Sequence, residues 1–238
     1  MFEYKRISVA GNLNGSIDLT LAFISPDADF SKIVPLAWKV FTLTDGGTSV
    51  LKSPIGSTLN RSAPHADTCT EVYNFPWSNI IGGCYAKMDS GTQVVSGHGY
   101  TQIPNGHSCS LLKDHSPPTE LRQRKIQLVN RSRESADICG GFITDCNEPN
   151  EAFHPVVVFS EVLDQNPICL DYAPILHIWA TLDFAQSQKL DESVTWIPPL
   201  WKGDLSKIGP ADSEVSFTVK RVNGALVVEG PKVFVAKA

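Results

Sequence analysis

At 238 residues, 42% of them hydrophobic, the chain can bury a sizeable core as one β-rich domain spanning 1–238, without disulfide or metal staples. Its net charge of −5 gives no electrostatic reason to expect a nucleic-acid partner or an anionic membrane surface. No apolar run reaches the length of a membrane-spanning helix, and residues 1–6 carry no signal-peptide core, so a soluble, cytoplasmic protein is expected.

Residues 4–24 read as a hairpin. Ile7 and Val9 form one apolar set; Ile17, Leu19, Leu21 and Phe23 form the other. A three-residue loop, Leu13-Asn14-Gly15, would set Val9 opposite Leu19 and Ile7 opposite Leu21, with Gly15 at the left-handed position. Residues 34–44 form the next strand, ended by Asp45-Gly46-Gly47. Residues 53–70 are turn-rich and read as a long loop. They precede a strand over 71–75 and a corner at Pro76-Trp77. Thr92–Ile103 reads as one strand with Gly97 and Gly99 on one face, a trough for a backbone or a ligand, and His98 and Tyr100 on the other.

Leu121–Val129 is a strand with Ile126 and Leu128 inward. Arg122, Arg124 and Lys125 within it and Arg131 and Arg133 just after it make a short basic stretch, read as a charge-protected edge or, alternatively, an anion site. Ala136–Thr144 is a strand interrupted by Gly140-Gly141. Val156–Val162 is a near-continuous apolar run, as in a strand covered on both sides.

In residues 174–184, Leu176, Ile178, Ala180, Leu182 and Phe184 alternate with His177, Trp179, Thr181 and Asp183. This is a strand with an apolar core face and a mixed second face that could border a pocket. Pro35-Leu36 and Thr42-Leu43 echo Pro174-Ile175 and Thr181-Leu182 at the same spacing. The echo falls short of a duplication and leaves two related sandwich halves as an open alternative. Trp196 and Trp201 flank Pro198-Pro199 in a stiff loop. Asn223-Gly224 signals a type I′ turn that pairs Val219 with Val228 and Arg221 with Leu226, followed by a short strand over 232–236. About a dozen strands without a long helix predict an all-β, antiparallel sandwich or barrel-like fold with long loops.

The six cysteines, Cys69, Cys84, Cys109, Cys139, Cys146 and Cys169, form no C-x-x-C pair and are expected to be reduced, small apolar side chains. The chain contains no nucleophile elbow, P-loop, H-E-x-x-H or dinucleotide fingerprint. The expectation is therefore a small-molecule-binding protein without catalysis, its ligand an aromatic or pigment-like metabolite such as a bound organic chromophore. Trp196 and Trp201 would wall the site, because loop indoles invite a flat guest; His98, Tyr100, His177 and Trp179 would supply polar or stacking contacts. Two alternatives stand beside it. One is a lectin, with an exposed indole stacking on a sugar. The other is a metal-assisted enzyme using His98, His107, Cys109 and His115, whose donors suit a transition metal. A homo-oligomer is compatible with all three.

Overall fold

The C-terminal hairpin has the register its turn chemistry dictates. Val219 pairs with Val228 and Arg221 with Leu226. Asn223 and Gly224 both take the positive φ of a type I′ turn, at 51° and 84°. Phe217, Val219 and Val228 are buried and Leu226 packs beside them.

The computed structural model describes residues 4–24, 33–44, 72–97, 99–103, 107–111, 119–120, 126–170 and 174–235. The strands are β1 (Tyr4–Asn12), β2 (Ile17–Phe23), β3 (Ile33–Pro35), β4 (Ala37–Leu43), β5 (Val72–Ser78), β6 (Ile81–Met88), β7 (Val95–Gly97), β8 (Thr101–Ile103) and β9 (His107–Leu111). They continue with β10 (Thr119–Glu120), β11 (Ile126–Asn130), β12 (Ala136–Thr144), β13 (Ala152–Val162), β14 (Pro167–Leu170), β15 (Ile175–Ala180), β16 (Trp201–Asp204), β17 (Ser213–Val222) and β18 (Ala225–Val235). One helical turn, α1 (Glu192–Thr195), lies between β15 and β16. Among the described residues, no helix is long and apolar enough to cross a membrane.

Four sheets result. Sheet I has the order β18-β17-β1-β5 and sheet II β16-β15-β2-β4. Sheet III runs β3-β13-β12-β6-β7, with β8 also on β6, and sheet IV runs β10-β9-β11-β14. The ladders are antiparallel except β1 with β17 and β9 with β11. Sheets I and II enclose one core: Ile7, Val9, Phe75, Trp77 and Phe217 face Leu19, Leu21, Trp38, Phe41, Leu176 and Ile178. Sheets III and IV enclose a second, where Ile81, Ile138 and Phe159 meet Cys109, Leu111 and Leu128. Each such Leu, Ile or Phe contributes about 1.5–3 kcal/mol through burial. Phe142 and Val156 of sheet III also join the first core. The architecture is sandwich-like. A closed barrel is not formed, because β18 and β5 leave sheet I open, as β16 and β4 leave sheet II.

Several expectations are corrected. β1 and β2 do not form a hairpin: β1 pairs with β17 and β5, β2 with β15 and β4. Val9 and Leu19 share a core across two facing sheets, and Asn14-Gly15 carries the chain between them. Alternation fixed which side is apolar, not which strand lies alongside. The single strand expected over 34–44 is divided at Leu36, with β3 in sheet III and β4 in sheet II. Pro76 makes no corner; β5 runs through it, which an edge strand tolerates, and Trp77 is buried in the core.

The segment 92–103 breaks into β7 and β8 around Gly99, whose φ is +65°. Gly97 leaves no open trough, because a Cβ there would lie 2.5 Å from the Cys84 sulfur. The terminal strand over 232–235 is the continuation of β18. The echoing segments do not match in structure: Pro35 lies in β3 of sheet III, whereas the other segment forms β15 of sheet II; only their β4 and β15 portions flank β2 together. Val156–Val162 is covered on both sides as expected: Val156 enters the first core, Phe159 the second, and Val158 packs with Cys84 and Cys139. The loop over 53–70 and Arg122, Arg124 and Lys125 lie outside the described residues. Arg131 and Arg133 are exposed in the turn after β11.

Candidate functional site

Among the described residues, a cleft opens at one end of sheet II, where β2 begins and β15 ends. The Thr181 N–H donates to the Asp18 carbonyl at 3.0 Å, and the Thr20 and Thr181 hydroxyls share a hydrogen bond of 2.6 Å. These bonds hold the chain as it leaves β15. Asp183 then turns it with a φ of 60°, and Asp191 caps α1 by accepting from the Val194 N–H at 3.3 Å. Val194 is buried against Trp179, Ala22, Val40 and Leu190, which seats α1 on the outer face of sheet II.

The cleft has a volume of about 470 Å³. Trp179, Leu182, Phe184, Val194 and Ile197 supply apolar wall; Ser16, Asp18 and Thr181 supply polar rim. Leu182 is 78% exposed and Ile197 57%, so apolar surface stands open to solvent at the mouth. The Thr42 hydroxyl donates to the Asp18 carboxylate at 2.5 Å, which fixes that side chain.

Trp179 is the expected site residue that lines this cleft. It is nearly buried, and its indole N–H donates to the Ile197 carbonyl at 2.9 Å. Its role is wall and tether, not open stacking platform. His177, two residues earlier on the same face, stacks on Trp179 with centroids 5.0 Å apart at 30°. Burial, and then the Lys202 charge, push its pKa down to about 4, so it is neutral near pH 7; its Nδ1 is buried without a hydrogen-bond partner.

Trp196 and Trp201 are not brought together as two walls. Trp196 is 75% exposed just after α1. Trp201 pairs with Ile178 across β16 and β15, packs against the first core and tilts onto Phe217 at 4.5 Å. Gly203 makes room for it, since a Cβ there would lie 2.6 Å from the indole.

Tyr100 lies just before β8, outside the cleft lining. It stacks on Phe153 at 5.1 Å and donates to the Glu151 carboxylate at 2.6 Å. Burial, then Glu151, raise its pKa to about 12, while the bonds from Tyr100 and the Asn147 N–H lower that of Glu151. Of the metal candidates, His98 and His115 lie outside the described residues. His107 and Cys109 sit two apart on β9, and Cys109 is buried in the second core, where desolvation raises its thiol pKa. Among the described residues, no three His, Cys, Asp or Glu side chains gather as a metal site.

Lys39 of β4 and His154 of β13 pack against aromatic rings of the first core. Lys39 is 8% exposed, with its ammonium 5.8 Å from the Trp38 ring centroid and 5.7 Å from that of Phe75. Burial lowers its pKa to about 8. His154 packs on Phe142 and shares a 3.0 Å hydrogen bond with the Thr144 hydroxyl. Burial, and then the Lys39 charge, lower its pKa to about 3. Comparisons with protein-family models, with curated proteins and with solved structures find no match to this chain.

Proposed function

We propose that this chain is a binding protein for a small, flat, largely apolar molecule of the aromatic or pigment-like class, held in the cleft between the ends of β2 and β15 and the α1 segment. The observation that carries the reading is the composition of that cleft: seven apolar residues around three polar ones, Ser16, Asp18 and Thr181. Leu182 and Ile197 expose apolar area that a guest would cover. Asp18 and Thr181 would orient a donor-bearing end of the guest.

Titration with a neutral flat dye such as Nile red tests this reading. Saturable 1:1 binding that Leu182→Asp weakens about tenfold is expected from the loss of one buried apolar contact and the added carboxylate. Absence of saturable binding, or binding indifferent to Leu182→Asp, overturns it.

One observation favours a carbohydrate as the alternative guest: Trp196, adjacent in sequence to the lining residue Ile197, is 75% exposed. An indole face of this kind stacks on a sugar ring. Glycan-array signal abolished by Trp196→Ala would select this reading over the first.

A further inference from the structure

Cys84 on β6 and Cys139 on β12 stand directly opposite one another in the interior of sheet III. Their sulfurs are 3.3 Å apart. Antiparallel partners hold their Cα atoms about 4.5–5.5 Å apart, within the roughly 4.4–6.8 Å that a disulfide requires. A bond between the sulfurs therefore asks only for side-chain adjustment. The space beside the pair is kept by Gly97, where a Cβ would lie 2.5 Å from the Cys84 sulfur and 3.0 Å from that of Cys139. Both cysteines are buried, packed with Leu36, Val95 and Val158.

We propose that Cys84 and Cys139 form a redox pair that closes into a cross-strand disulfide, with a low-molecular-weight disulfide such as oxidised glutathione as the oxidant. The thiolate of one cysteine attacks a glutathione sulfur, forming a mixed disulfide and releasing one glutathione. The second cysteine attacks the protein sulfur of that mixed disulfide and releases the other glutathione. Two protein S–H bonds are lost and one S–S bond forms; the two electrons and two protons leave on two glutathione thiols.

Burial and the shared S–H bond hold the Cys84 thiol proton tightly in the closed sheet. The exchange therefore runs through opened forms, during folding or when β7 lifts from β6. Closure would link positions 55 residues apart, restrict the unfolded chain and raise Tm by about 5–10 °C.

The test holds the whole chain in oxidised glutathione, at a urea concentration below its unfolding transition. Free thiols are then alkylated in full denaturant and the peptides mapped. A peptide joined through Cys84 and Cys139, and a Tm raised in wild type but not in the Cys84→Ala/Cys139→Ala double variant, are expected. The map on wild type stands alone if the double variant does not fold. Alkylation of both Cys84 and Cys139, or their joining to other cysteines, overturns the proposal.

Discussion

The Trp179 indole N–H reaches the Ile197 carbonyl at 2.9 Å, and this bond ties the end of β15 to the far wall of the cleft. Trp179→Phe keeps an aromatic ring but removes the donor, leaving the carbonyl without its partner. A loss of about 1–3 kcal/mol is expected. Urea unfolding measures it, and dye affinity should fall with it, because the Ile197 wall is no longer fixed.

The two indoles around Pro198-Pro199 should separate sharply. Trp196→Ala, at a surface position, is expected to change stability by less than about 0.5 kcal/mol. Trp201→Ala removes a ring packed on Phe217 and should cost about 2–4 kcal/mol. Thermal unfolding of the two variants checks this, and equal effects would contradict the placement of Trp201.

Lys39→Met should stabilise the protein at pH 7, by roughly 1–3 kcal/mol. The pKa of Lys39 falls to about 8 through burial alone, so the folded state carries a desolvated ammonium at neutral pH, only partly offset by the Trp38 and Phe75 rings. Between pH 8 and the ordinary lysine value the unfolded chain binds more protons, so wild-type stability rises with pH there; the gain from the substitution should shrink over the same window.

Acid should weaken the fold well above the carboxylate range. His154 and His177 have folded-state pKa values of about 3 and 4, against about 6.5 when unfolded. Their contribution is complete above pH 6.5 and is lost as pH falls towards 4 and 3, since the unfolded chain takes up protons the folded one refuses. The slope reaches at most about 1.4 kcal/mol per pH unit for His154, and less for the partly solvated His177. His177→Phe keeps a ring on Trp179 and removes the unpaired Nδ1, so it should flatten the profile between pH 6.5 and 4 in chemical-denaturation curves.

What could be read from sequence was local. Asn223-Gly224 announced both a turn and a register, because a two-residue loop leaves one pairing that keeps Phe217 and Val219 on the apolar side. The bounds of β12 and the inward direction of Ile126 and Leu128 were legible from the local pattern of apolar and turn residues. Partners distant along the chain were not. Nothing in Ile7 or Val9 says that β1 lies parallel to β17, and nothing in Pro35-Leu36 says that the strand changes sheets there.

The cleft was half visible. The mixed face of β15 pointed to a pocket beside Trp179, but Asp18, Val194 and Ile197 meet it only through pairing and capping that depend on the whole fold. Leu182 looked like core because it continued the alternation of β15. The strand ends at Ala180, and the same leucine becomes wall.

The parallel union of β1 with β17 has a consequence on the ribosome. Ile7 pairs with Val215, so an N-terminal strand leaves the exit tunnel long before its neighbour is translated. Until then its apolar side chains and one backbone edge stay unsheathed, as a chaperone would find them. Sheet I cannot be completed until β17 has been synthesised, and this late closure sets the period in which the nascent chain is most open to misassembly.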